Sequence, residues 1–305
     1  EDSPIAIQIP EGLKTKSTFI LESLKEYDPV LFIDSCYGAC DLKEKEAKQL
    51  KCKALVHFGH YPMGTSKIKT VFVPISYKLK EKDINFIIDE ISKKHANKKI
   101  NILTTTQYIT NIPKIKDKLI KKNIYLEPMK KTKRLEKHMV LGCDCSTVIN
   151  KKSPFVFIGD GYFHARNIFF RYNKEIFIIN PITKTTDVIN ENDRFLRQRY
   201  GVIGALKNAE SFGVVVSTKK GQERLTLAKE IYDLLKKHKK KVFIFACDNF
   251  KNDLVIGVNV DCFINTACPR ITYDDYKNYC KPVISVSEAK LLLNEEKDLK
   301  IDQIN

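Results

Sequence analysis

Short apolar runs alternate with amphipathic stretches along the whole chain, and this alternation constrains the fold more than any other feature. Segments 5–9, 30–33, 54–58 and 71–75 read as strands, and helical patterns over about 12–26, 42–51 and 84–94 separate them. Strands spaced by helices of that length argue for parallel βαβ units. The pattern restarts at 101–105, with a helix over 113–122 and strands at 124–126, 139–141 and 155–158. It restarts again at 212–217, with a long helix over 222–240 and strands at 242–246, 261–265 and 283–286. Repeats of about 100 residues predict an α/β fold of three related domains with parallel sheets, in a pseudo-threefold arrangement. The expected divisions are 1–97, 98–207 and 208–305.

Composition narrows the class. With 43% hydrophobic residues in 305, the chain is expected to bury real cores, which excludes disordered and fibrous classes. No window approaches the ~20 apolar residues that a membrane span needs. The opening Glu1-Asp2-Ser3-Pro4 lacks the order of a secretory signal. A cytoplasmic protein without membrane contact is therefore expected. The net charge of +16 suits an acidic partner or nucleic acid, but the lysines are spread evenly, as a general lysine bias would spread them. Direct nucleic-acid binding is not expected.

Nine cysteines without a leader argue against a disulfide framework. In a reducing compartment they are small core residues, nucleophiles or metal ligands. Three of them recur in comparable places. Asp34-Ser35-Cys36-Tyr37-Gly38-Ala39-Cys40-Asp41, Gly142-Cys143-Asp144-Cys145 and Thr266-Ala267-Cys268-Pro269-Arg270 each follow an expected strand. Cys40 lies 17 residues before His57, Cys143 lies 16 before Gly159 and Cys268 lies 15 before Val283. Ligand sites of parallel α/β units lie beyond the carboxyl ends of strands, so a pseudo-threefold arrangement brings the three thiols to one centre. Structural zinc sites close with four ligands, usually in local pairs. A [4Fe–4S] cluster on three thiolates keeps one iron open for substrate. Three buried structural cysteines fit the spacing equally well. Small residues beside each sulfur favour close backbone approach to a bulky group.

The chain resembles the archaeal-type diphthamide biosynthesis enzymes of the first pathway step, a non-classical radical S-adenosylmethionine family. The resemblance is carried by Gln8-Ile9-Pro10-Glu11-Gly12-Leu13, by the Cys36–Cys40 segment, and by His57-Phe58-Gly59-His60. It continues in Leu141-Gly142-Cys143, Gly159-Asp160-Gly161-Tyr162-Phe163-His164, Ser217-Thr218-Lys219-Lys220-Gly221-Gln222 and Asn265-Thr266-Ala267-Cys268-Pro269-Arg270. It implies a homodimer and a [4Fe–4S] cluster held by Cys40, Cys143 and Cys268. It also implies cleavage of the Cγ–S bond of S-adenosylmethionine by the reduced cluster. The 3-amino-3-carboxypropyl group then goes to carbon 2 of a histidine on translation elongation factor 2, with release of methylthioadenosine. An electron donor is implied as a further partner.

Cys36 and Cys145 stand close enough in sequence to replace Cys40 or Cys143 as ligands, and Cys36-x3-Cys40 lacks the third cysteine of ordinary radical enzymes, having Lys43 there. Asp160, between Gly159 and Gly161, offers a carboxylate for a ribose hydroxyl or an ammonium group, although an Asp-Gly turn reads the same way. Lys219 and Gln222, in a turn before the long helix, and Arg270 suit the methionine carboxylate, although a helix cap also explains that turn. His60 and His164 are expected to face the central cleft and support ligands rather than bind metal. The basic segment 194–200 is either a solvated helix face or a contact for the protein substrate. Rival readings are a Lewis-acid cluster enzyme of quinolinate synthase type, a basic RNA-binding zinc protein, and an accessory subunit of a heterodimer.

Overall fold

The most apolar runs of the sequence form the central strands of three sheets. The computed structural model describes residues 3–190, 194–300, 302 and 304, so Glu1 and Asp2 lie outside the described residues. In the first sheet, β1 (Ile5–Gln8), β2 (Val30–Phe32), β3 (Ala54–Phe58) and β4 (Lys69–Val73) lie in the order β2-β1-β3-β4. All of its pairings are parallel. The second sheet holds β5 (Lys99–Thr104), β6 (Tyr125–Leu126), β7 (Phe155–Ile158), β8 (Ile176–Asn180) and β9 (Thr185–Ile189), ordered β6-β5-β7-β8-β9. The third holds β10 (Ser211–Ser217), β11 (Lys241–Cys247), β12 (Cys262–Asn265) and β13 (Val283–Ser285), ordered β11-β10-β12-β13 and parallel throughout. One strand order thus recurs three times. The second sheet adds β9, antiparallel to β8.

The helices are α1 (Ser17–Ser23), α2 (Glu44–Gln49), α3 (Glu81–His95), α4 (Ile112–Ile120), α5 (Phe163–Tyr172), α6 (Arg194–Ala205), α7 (Leu225–Lys237), α8 (Pro269–Tyr273) and α9 (Val286–Leu292). In α3, Ile84, Ile87, Ile88 and Ile91 follow helical spacing and are buried against Ile100, Ile102, Val156 and Ile158 of the second sheet. This helix falls within the first expected division, 1–97, yet its core is that of the second sheet. Tyr273 and Leu299, from the third division, also join a core of the second.

Several elements differ from the sequence reading. The helix expected over 12–26 is a 3₁₀ turn, the short α1 and another 3₁₀ turn, none of which buries a residue or has a side-chain cap. Leu13, Ile20, Leu21 and Leu24 still pack against the core of the first sheet, but only at partial burial. The strand expected at 139–141 is reduced to isolated bridges, Met139 beside Thr104 and Leu141 across from Asp144.

The basic segment 194–200 is corrected at Arg199, whose side chain is 0% exposed. Its Nε lies 2.6 Å from Glu288 Oε1 and one terminal nitrogen 2.7 Å from Oε2. The same nitrogen donates to the Val283 carbonyl. Glu288 also accepts from the Ser285 backbone N–H while Ser285 Oγ accepts from Glu288 N–H, which closes a capping box on α9. An internal ion pair therefore joins α6 to α9.

Candidate metal centre and adjoining cavities

Cys40, Cys143 and Cys268 are partly exposed free thiols, whereas Cys36, Cys52, Cys145 and Cys262 are buried. Each of the first three sits in a turn with its own support. The Cys40 turn is closed by Asp41 N–H donating to the Gly38 carbonyl. It is then gripped by the turn after β10. Gly221 N–H donates to the Cys40 carbonyl at 3.1 Å, and Gln222 Nε2 donates to Cys40 Sγ at 3.3 Å. A Cβ on Gly221 would stand 2.5 Å from Cys40 Cα, so only glycine fits. Lys219 Nζ lies 2.5 Å from Asp41 Oδ2 and 2.6 Å from Asn249 Oδ1.

Cys143 occupies a turn in which Leu141 N–H donates to the Asp144 carbonyl. Gly142 faces the Phe163 ring, which a Cβ would strike at 1.8 Å. Ile304 N–H donates to the Cys143 carbonyl, so the C-terminal segment reaches this turn. Cys268 caps α8, with Pro269 in the first helical position. Asn265 Nδ2 donates to the Cys268 carbonyl, and its Oδ1 accepts from Ala267 N–H. Arg224 donates to the carbonyls of Thr266 and Ala267, with Asp302 3.7 Å from it.

Cys40 and Cys143 lie between the second and third strands of their sheets, whereas Cys268 lies between the third and fourth. The similar spacing to a following strand is therefore counted to non-equivalent strands. The three thiols nevertheless sense one another. Burial pushes Cys268 upward, and Cys40 and Cys143 push it further. Burial raises Cys143 to about 12, opposed by Arg134 and reinforced by Cys40. Cys40 is raised by burial and lowered by the Gln222 hydrogen bond. Neighbouring thiols that resist ionisation alone are relieved when they share a cationic group, so the donor set fits an iron–sulfur cluster.

Two cavities lie beside these turns, one reaching Cys268 and the other reaching Cys36. One, of about 230 Å³, is lined by Tyr37, Lys219, Gln222, Cys268 and Arg270. The other, of about 700 Å³, is lined by Cys36, His60, Asp160, Gly161, His164 and Arg270. Arg270 borders both. Its Nε is buried with no hydrogen-bond partner, Asp274 lies 3.7 Å away, and its guanidinium sits 5.1 Å from the Tyr37 ring centroid. Gly161 has φ +71, which lets the chain turn beside Asp160. Gly159 lies outside both linings, where its N–H donates to the Ile179 carbonyl and a Cβ would meet the Phe157 ring. Burial lowers His164 and His60 to about 4 each, and Arg270 adds to the effect at His164.

The expected anion role of Lys219 needs correction. Its ammonium is buried and already paired with Asp41 and Asn249, so it ties the first sheet to the third. Cys145 belongs to the second core, beside Tyr172, whose hydroxyl donates to the Cys145 carbonyl. Cys36 lies instead with His57 and His60. Sequence reasoning missed Arg224 and the role of Gln8. The signal for Gln8 was present: a polar residue inside an isoleucine-rich strand, 1% exposed.

Residues 9–304 match the family model for diphthamide synthesis protein. The chain is 32% identical over 305 residues to the 2-(3-amino-3-carboxypropyl)histidine synthase of Pyrococcus horikoshii, covering 98% of this chain and 88% of that protein. It is 33% identical over 320 residues to the enzyme of the same name from Methanocaldococcus jannaschii, covering 98% and 87%. The crystal structure of Dph2 from Pyrococcus horikoshii with a 4Fe-4S cluster superposes with a TM-score of 0.89 at 31% identity, covering 98% of this chain and 88% of that one.

Proposed function

The chain belongs to the diphthamide synthesis protein family, and on that premise we propose that it is a 2-(3-amino-3-carboxypropyl)histidine synthase. It would transfer the 3-amino-3-carboxypropyl group of S-adenosylmethionine to carbon 2 of a histidine on translation elongation factor 2 and release methylthioadenosine. Family membership removes the quinolinate synthase and RNA-binding zinc readings. The proposal is supported by three partly exposed thiols, one from each sheet region, of which Cys40 and Cys143 raise the Cys268 thiol, and by a cavity at Cys268 bordered by an arginine with an unsatisfied Nε. Cys40, Cys143 and Cys268 would hold a [4Fe–4S] cluster, as the cluster-bearing relative supports. When bound, the cluster supplies the electron that breaks the Cγ–S bond.

The remaining work is positioning. Arg270 binds the methionine carboxylate, with Tyr37 stacked on its guanidinium. Asp160 accepts from the amino group or a ribose hydroxyl, and the bare turn at Gly161 keeps that approach open. Gln222 holds the Cys40 sulfur, and Lys219 holds the loop that carries it. His60 and His164, neutral imidazoles near pH 7, line the larger cavity. Orientation of the substrate selects which carbon–sulfur bond faces the centre. A homodimer, a separate electron donor and a cytoplasmic site of action complete the proposal. Among the described residues no helix is long and apolar enough to cross a membrane.

The test is chromatography of nucleosides from anaerobically reconstituted, dithionite-reduced protein incubated with S-adenosylmethionine. Methylthioadenosine that disappears in Cys268→Ala supports the proposal. 5′-Deoxyadenosine, or no cleavage by protein that holds its cluster, overturns it.

A further inference from the structure

Cys36, His57 and His60 form a compact group that uses none of the three cysteines above. One ligand atom from each lies within 4.8 Å of the other two. Cys36 is 1% exposed and His57 is fully buried. The chain builds this group with a sharp turn after β3. Gly59, at φ +87, sits where a Cβ would stand 2.8 Å from Pro10, and its N–H donates to the Val73 carbonyl. This turn folds His60 back on His57, with Nδ1 3.0 Å from His57 Nε2.

Gln8 fixes the proton of His57. Its Nε2 lies 2.5 Å from the Asp41 carbonyl, which only accepts, so its Oε1 must face the other way. Oε1 lies 3.1 Å from His57 Nδ1 and also accepts from Lys43 N–H. Nδ1 therefore carries the hydrogen, and the lone pair of Nε2 points toward His60 and Cys36. An imidazole whose outer nitrogen donates to an amide oxygen is the arrangement seen behind metal-ligating histidines. Cys36 and His60 also line the 700 Å³ cavity.

We propose that Cys36 Sγ, His57 Nε2 and His60 Nδ1 form a mononuclear zinc site whose fourth position opens to that cavity. One thiolate and two imidazoles form a donor set that suits zinc, and three protein ligands leave one position for water or a nitrogen or oxygen donor. Binding releases the Cys36 thiol proton, and the His60 proton moves from Nδ1 to Nε2. No electron is transferred. The site does not require the proposed cluster reaction.

The test measures zinc and iron by mass spectrometry in full-length protein purified anaerobically, and then the absorption of protein loaded with Co²⁺ alone. About one zinc per chain is expected. It should persist in Cys268→Ala, which loses iron, and fall at least tenfold in Cys36→Ser and in His60→Ala. Gln8→Ala should weaken zinc binding about 10- to 100-fold. The Co²⁺ form should show a thiolate charge-transfer band that Cys36→Ser abolishes. Far-ultraviolet circular dichroism separates loss of metal from loss of fold, and His60, at the cavity surface, is the variant that keeps the fold. Zinc absent from the wild type, zinc unchanged in folded His60→Ala, or iron rather than zinc lost from Cys36→Ser would each overturn the proposal.

Discussion

The first and third sheets share one strand order, yet they hold their cysteines by opposite means. The Cys268 turn is held by its own unit, through Asn265, Arg224 and the cap of α8. The Cys40 turn is held mainly from outside, through Gly221, Gln222 and Lys219 of the third sheet region. One thiol is thus placed by local folding and the other by assembly. The proposed centre would form only after the first and third regions have met.

Lys219→Met should have the largest effect. It leaves Asp41 buried without its cation, and losing one partner of such a pair costs about 3–5 kcal/mol. Urea unfolding should show that loss, and Lys219→Met/Asp41→Leu should recover most of it. A single variant as stable as the wild type would show that the cross-sheet tie carries little. Asn265→Ala is the matching test on the third sheet. It leaves the Cys268 carbonyl and the Ala267 N–H short of partners, at about 1–3 kcal/mol by the same measurement. Iron content should fall in both, but only Lys219→Met should loosen the Cys40 loop to limited proteolysis. Cleavage there in both variants would erase the contrast.

Gly221→Ala comes next, at about 1–3 kcal/mol, because its added methyl meets backbone rather than a flexible side-chain end. Iron retained after gel filtration is the readout, and full retention would mean that the two turns can separate without harm.

Acid should give the smallest change near neutrality. His57 is lowered to about 3, and His60, His95 and His164 to about 4. The unfolded chain takes up these protons near pH 6.5 while the folded chain resists them, so stability is lost as pH falls from about 6.5 toward 4. Asp302, raised to about 6, opposes this by favouring the protonated fold. Melting temperatures of metal-free protein should fall by more than one group's contribution, and His60→Ala should flatten the decline. A profile unchanged by that substitution would place the acid sensitivity elsewhere. On the Cys268 side the responsive group is Asp302, beside Arg224, so that side should change in the opposite sense as pH falls.

The strands were legible because their apolar runs are short and clearly bounded, and the restarts expected at 101 and 212 fall on β5 and β10. The grouping of elements was less legible. The isoleucines of α3 announce a helix but not which sheet it covers. Cys268 follows a different strand from its counterparts, and the similar residue spacing concealed this. Lys219 looked like an anion contact because its partner, Asp41, is 178 residues away. Arg199 looked solvated because Glu288 is 89 residues away. Periodicity reports the face of an element, whereas a long-range ion pair leaves no local trace.

The Arg199–Glu288 pair has a consequence for modularity. Three similar sheets invite the idea that each is a portable unit that could be cut out, shuffled or expressed alone. Glu288 makes the third sheet a poor candidate, because one carboxylate both caps α9 and neutralises a guanidinium from the preceding region. Cutting the chain between α6 and β10 would leave that carboxylate without its counter-charge at the seam. The repeat is therefore visible in topology but has been lost as an independent building block.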